Sequence, residues 1–128
     1  MASSPQYTGT PKNSTVQVST ANTGRDGTGT LADVYTAGAS GGRIDELTIH
    51  ATGTTTAGMI RLFLSDTTNH RLIQEIPVIA ITPSSTVPAW SGKVSFDGGL
   101  ILQGTYVLKA STHNAETFNV VVTQGGDF

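Results

Sequence analysis

Three stretches run on without a break: Arg43-Ile-Asp-Glu-Leu-Thr-Ile-His-Ala51, Thr52-Gly-Thr-Thr-Thr-Ala-Gly58 and Met59-Ile-Arg-Leu-Phe-Leu-Ser65. In the first, Leu47, Ile49 and Ala51 alternate with polar residues; in the third, Ile60, Leu62 and Leu64 do the same. Successive side chains of a strand point to opposite faces, so each stretch predicts a strand with one face turned to a core. Ile44 falls out of phase with Leu47, which predicts a bulge near Asp45-Glu46. The middle stretch, all Thr, Gly and Ala, turns the chain from one strand into the next.

The same grammar extends in both directions. Val16 and Val18 alternate within Ser14–Thr20, and Leu31–Ala37 gives another strand. His70–Ile81 is the longest apolar stretch, and Pro77 confines it to a sheet edge or a bend. Lys93–Phe96 and Leu100–Gln103 flank Asp97-Gly98-Gly99, a hairpin signal. Thr105–Ser111 turns Tyr106, Leu108 and Ala110 inward, and Phe118, Val120 and Val122 form the inner face of the last strand. Gly125–Phe128 is read as a tail. Loops are expected at Asn22–Thr30, Gly38–Gly42 and Thr82–Trp90. Eight or nine short strands at spacings of roughly 8–12 residues predict an all-β fold, an antiparallel β-sandwich or barrel. Residues 1–13 hold Pro5, Gly9 and Pro11 with Tyr7 as the only large apolar group. They are read as an extended N-terminal arm that orders on a neighbour, with Tyr7 as its anchor. Residues 14–128 then form a single sandwich domain.

Composition agrees. The chain has 128 residues, 21 Thr, 11 Ser and no Cys, and only 12% of it is charged. Charged residues make up roughly 25% of an ordinary globular chain, and Thr favours strands over helices. A helical bundle is excluded. With no Cys there is no disulfide, thiolate metal site or Cys nucleophile. The net charge is −2 and the seven Lys and Arg stand singly. A nucleic-acid surface needs clustered cations, so none is expected. The longest apolar run, Ile76 to Ile81, is far short of the ~20 residues that span a bilayer as a helix. The opening Met-Ala-Ser-Ser-Pro-Gln has neither charge nor an apolar stretch, unlike a secretory leader.

Chemistry has few candidates. His50, His70 and His113 show no metal-ligand spacing, and His50 falls on the outward phase of its strand. Asp45, Glu46 and Glu75 lie among Arg43, Arg61 and Arg71, which predicts cross-strand ion pairs rather than acid–base work. No Gly-x-Ser-x-Gly elbow and no phosphate-cradling Gly loop ending in Lys is present. We therefore expect no enzyme, no cofactor, no metal and no small-molecule substrate. Arg25-Asp26-Gly27 has the wrong order for an adhesion tripeptide, but Arg25 and Asp26 sit in the Asn22–Thr30 loop as candidate contact residues. Trp90 is either the anchor of an interface or a core residue closing one end of the sandwich.

The segment Arg43–Asp66 and the stretch Gly99–Phe128, ending Phe-Asn-Val-Val-Val-Thr-Gln-Gly-Gly-Asp-Phe, resemble small structural proteins of tailed bacteriophages. Within that class a chain of this size is similar to capsid decoration, or cement, proteins. The resemblance implies a jelly-roll-like sandwich and a homotrimer. It implies attachment across major capsid protein subunits at the virion surface, after assembly in the host cytoplasm. The alternative is a tail- or fibre-associated sandwich binding host glycans. The contacts expected on this reading come from Tyr7, Arg25, Asp26 and Trp90, with the three loops gathered at one end of the sandwich.

Overall fold

The computed structural model describes residues 8–128. Nine strands form among them: β1 (Thr10–Pro11), β2 (Thr15–Val18), β3 (Ala32–Thr36), β4 (Gly42–Ala51), β5 (Gly58–Ser65), β6 (His70–Val78), β7 (Ser91–Leu102), β8 (Val107–Thr112) and β9 (Phe118–Asp127). One sheet has the order β1-β9-β4-β7, with β2 also on the outer edge of β9; the other has the order β3-β8-β5-β6. Every strand pairing is antiparallel. The fold is the β-sandwich that the alternation predicts.

Between the sheets lie Ile44, Leu47 and Ile49 of β4, Ile60 and Leu62 of β5, Leu108 and Ala110 of β8, and Phe118, Val120 and Val122 of β9. Each is 1% exposed or less. Ile44 and Leu47 both face inward because the ladder slips between Ile44 and Glu46, as their phase requires. Pro77 does stand on an edge strand, β6. There its missing N–H removes no ladder bond that a central strand would need.

Two expectations are corrected. Asp97-Gly98-Gly99 does not close a hairpin. Ile44 pairs with Leu100 and Glu46 with Ser95, so Phe96–Gly99 bulges from one continuous β7 opposite Asp45. Gly98 and Gly99 have φ of 76° and 87°, which lets the chain leave the ladder and rejoin it in phase. The flanks cannot pair with each other because both are already paired with the long β4. Gly125–Phe128 is likewise no loose tail, since β9 runs on to Asp127, pairing with Gly42 on one side and Thr10 on the other.

The stretch expected to wait for a neighbour has, over residues 8–13, a partner in its own chain. The Gly9 and Lys12 N–H groups donate to Asp127 and Gly125 carbonyls at 2.8 and 3.0 Å, and Asn13 Nδ2 donates to the Val122 carbonyl at 2.8 Å. Tyr7 lies outside the described residues.

These pairings give the sandwich two unlike long sides. On one, β2 and β3 meet, and Asp127 links Tyr35 of β3 to Lys12. On the other, β6 and β7 are free edges: Ile76 lies 3.5 Å from where a Cβ on Gly92 would stand.

Candidate interaction surfaces

The three loops do not gather at one end. Gly42 opens β4 beside Leu102 and Asp127, whereas Ser91, which follows Trp90, pairs with His50 near the other end of β4. Gly38–Gly42 and Thr82–Trp90 therefore sit at opposite ends. The physical reason is connectivity: one loop enters β4 and the other enters its antiparallel neighbour beside the β4 exit. Asn22–Thr30 belongs to neither end. It lies over the outer face of the β3-β8-β5-β6 sheet.

That loop is fastened by a polar cluster. Period 2 sends Arg61 outward, between the inward Ile60 and Leu62, yet it is 1% exposed because the loop covers it. Phe63, on the same face, is fully buried too and stands apart from the main core. Glu75 Oε2 accepts from Arg25 Nε at 2.8 Å and from Arg61 Nε at 3.0 Å. The hydrogen bond from Arg25 holds the Glu75 carboxyl below its ordinary pKa; partial burial opposes this and Arg61 adds to it. Arg61 Nη1 donates to the Asn22 carbonyl at 3.4 Å and faces His113 Nδ1 at 3.3 Å. A guanidinium can only donate, so that ring nitrogen accepts. Buried Asn22 donates through Nδ2 to the Thr28 and Thr30 carbonyls, both at 2.9 Å, and accepts from the Gly24 N–H. Asp26 Oδ1 accepts from the Thr28 hydroxyl at 2.6 Å and the Thr28 N–H at 3.1 Å, and these bonds lower its pKa. Arg25 and Asp26 thus serve the loop's own fastening.

Trp90 is 6% exposed and meets Phe118 edge to face, centroids 5.8 Å apart. Its carbonyl accepts the Ala51 N–H at 2.8 Å. Of the two roles open to it, it has the packing one.

Asp127 is the hub of a second polar centre. Asp127 Oδ1 accepts from Tyr35 Oη at 2.5 Å and from the Gly38 N–H at 3.1 Å. Lys12 Nζ stands 3.5 Å from Asp127 Oδ2, donates to the Thr36 carbonyl at 2.6 Å and lies 4.8 Å from the Tyr35 ring centroid. Burial pushes Asp127 toward the neutral form, but the bonds from Tyr35, Gly38 and Lys12 outweigh it and the pKa falls. Tyr35 shifts the other way, raised by burial first, then by its hydrogen bond to Asp127 and by that carboxylate's charge. No local signal marks Asp127, because its partners are distant in sequence and Gly-Gly before it mimics a turn.

Of the expected ion pairs, Arg61–Glu75 crosses strands, whereas Arg43 pairs at 3.0 Å with Asp45 along its own strand, and Glu46 pairs across strands with Lys93 at 3.3 Å instead. The histidines do not converge: His50 is exposed, His70 Nδ1 meets Ser65 Oγ at 2.8 Å, and His113 meets Arg61. Among the described residues no group of three His, Asp or Glu side chains is placed to hold a metal.

Large apolar side chains are exposed at Val87 and Phe128, both 45%, and at three isoleucines on the β6–β7 side. Ile73 is 39% exposed, Ile79 just past β6 61%, and Ile101 of β7 55%. Leu72 and Ile76 lie half-buried beside them. Both strands also carry irregularities. The ladder slips between Leu62 and Phe63, which leaves Ile73 unpaired, and Phe96–Gly99 bulges. Edges broken in this way resist casual strand addition. No protein-family model matches the chain, and no curated protein matches it either.

Proposed function

We propose that this chain is a structural virion protein of a tailed phage. It decorates the capsid as a homotrimer and stabilises it by binding across major capsid protein subunits. The observation that carries the reading is the exposure of three isoleucines, Ile73, Ile79 and Ile101, on or just beside the edge strands β6 and β7. Large apolar side chains left exposed on a surface favour partner contact, and irregular edges keep that contact from becoming indiscriminate strand pairing. Support also comes from connectivity. The pairs β2:β9, β3:β8, β4:β7 and β5:β6 nest one inside the next, which suits the jelly-roll form implied by the resemblance.

The attachment surface in this reading is the open side rather than the loop ends or Trp90. The glycan-binding alternative loses its aromatic platform, since the sole Trp is buried. Stabilisation follows from linkage: a ligand that prefers the mature lattice adds about 2.7 kcal/mol per site at a hundredfold excess over Kd. Bridging several subunits multiplies this through avidity. Few charges are available, so attachment should weaken only mildly with salt. The test is the composition of purified particles. A decoration protein is present at high copy number and is removed from the outer surface without opening the tail; absence from particles overturns the proposal.

A further inference from the structure

The sequence holds two Asp-Gly dipeptides, Asp26-Gly27 and Asp97-Gly98. Asp followed by Gly is the pair most prone to backbone rearrangement, because a residue without a Cβ leaves its N–H open to attack on the preceding carboxyl. The ring needs three things: a free carboxyl, a local backbone able to change shape, and space for the product. The fold treats the two sites oppositely.

At Asp26 the carboxylate is pinned by the Thr28 hydroxyl and N–H. A Cβ on Gly27 would stand 2.4 Å from the His70 carbonyl oxygen, so this backbone is packed against β6. At Asp97 no hydrogen bond or ion pair forms among the described residues, and the side chain is exposed. Nothing lies within 4 Å of the Cβ position on Gly98. The dipeptide sits in the Phe96–Gly99 bulge, outside the regular ladder that resumes at Ser95 and Leu100.

We propose that Asp97-Gly98 is a site of spontaneous isoaspartate formation in the folded protein, while Asp26-Gly27 is protected by its fold. The Gly98 nitrogen attacks Asp97 Cγ of the protonated carboxyl. A C–N bond forms, the carboxyl C–OH bond breaks, and water leaves with that hydroxyl and the amide proton. Solvent water then opens the succinimide. Attack at the side-chain carbonyl restores Asp, and attack at the main-chain carbonyl yields isoaspartate, with one extra methylene in the backbone. The bulge already accommodates surplus chain between two fixed pairings, so the product fits without breaking the sheet. The exposed product is a substrate for protein-isoaspartate methyltransferases, which act on this linkage.

The test ages the full chain, folded and in parallel unfolded in urea, at mildly acidic to neutral pH. Isoaspartate is then quantified at each dipeptide by methyltransferase labelling and by the fragment ions that distinguish the two linkages. In the folded chain Asp97 should convert about tenfold faster than Asp26, whose hydrogen bonds must first break. In urea the two should convert at similar rates. Equal rates in the folded chain, no conversion at Asp97 in the folded chain, or the same disparity in urea would overturn the proposal.

Discussion

Where β1 and β3 flank the end of β9, the sandwich is tied shut by particular polar bonds: Tyr35 and the Gly38 N–H on Asp127, Lys12 across both, and residues 9–13 laid along β9. Where β6 and β7 run, no side-chain hydrogen bond joins the two strands among the described residues; Arg25 fastens the covering loop to Glu75 of β6, and Pro77 and the two irregularities stand on these edge strands. One side spends polar groups on holding the sheets together; the other leaves apolar groups outside and breaks its own strand edges. A substitution on the tied side should therefore be felt in stability, and one on the open side in what the protein attaches to.

The largest effect should come where the open side stops being surface. Trp90 fills the space behind Gly92 and packs on Phe118. Trp90→Ala should lower stability by about 3–5 kcal/mol in urea unfolding. A small loss would mean that the interior behind β7 is not closed by Trp90, and the contrast between the sides would blur.

On the tied side, Tyr35→Phe removes a donor to an ionised carboxylate and should cost about 1.5–3 kcal/mol near neutral pH. The pKa of Asp127 is depressed in the folded chain, so its bonds contribute fully above the ordinary aspartate value of ~3.9 and fade as pH falls through the lower folded value. The gap between wild type and Tyr35→Phe should shrink with it. A gap that stays constant into acid would show that the hydroxyl acts on something other than the Asp127 charge. A chain lacking residues 1–13 loses the Gly9 and Lys12 bonds and should fall by roughly 1–2 kcal/mol. An unchanged midpoint would return those residues to the role of an arm awaiting a neighbour.

The smallest stability change belongs to the open side. Ile79→Ser and Ile101→Ser should each stay within about 0.5 kcal/mol of wild type, as exposed substitutions do, while weakening particle attachment. Full attachment by the double variant would detach the proposed function from this side altogether.

Period-2 alternation made the strands legible because half-buried strands have no other way to satisfy one wet and one dry face. It even located the β4 bulge, since Ile44 and Leu47 both had to face inward. Turn chemistry was less reliable. Positive-φ glycines at 98 and 99 serve a bulge as well as a hairpin, and the choice depends on whether a long strand such as β4 lies alongside. The site was harder still. Trp90 had two readings that only burial could separate. Asp127 became a hub through Lys12, Tyr35 and Gly38, none of which is near it in sequence. Arg61 looked like a surface residue by phase, and only the loop folded over it makes it an interior one.

The nesting of β5:β6 inside β4:β7, then β3:β8, then β2:β9 also fixes an order of assembly. Of the nested strand pairs, only β5:β6 is closed by a tight turn, Asp66–Asn69; every later pair closes a larger loop, ending with Val18 against Phe118. Closing each ring on the one already formed keeps the effective loops short, whereas closing β2 on β9 first would cost the entropy of most of the chain. Folding should thus proceed outward from the β5–β6 hairpin. It should be slow for the chain's size, as for other folds built from distant pairings. The tied side, with Asp127 at its centre, would be the last to form and the first to open.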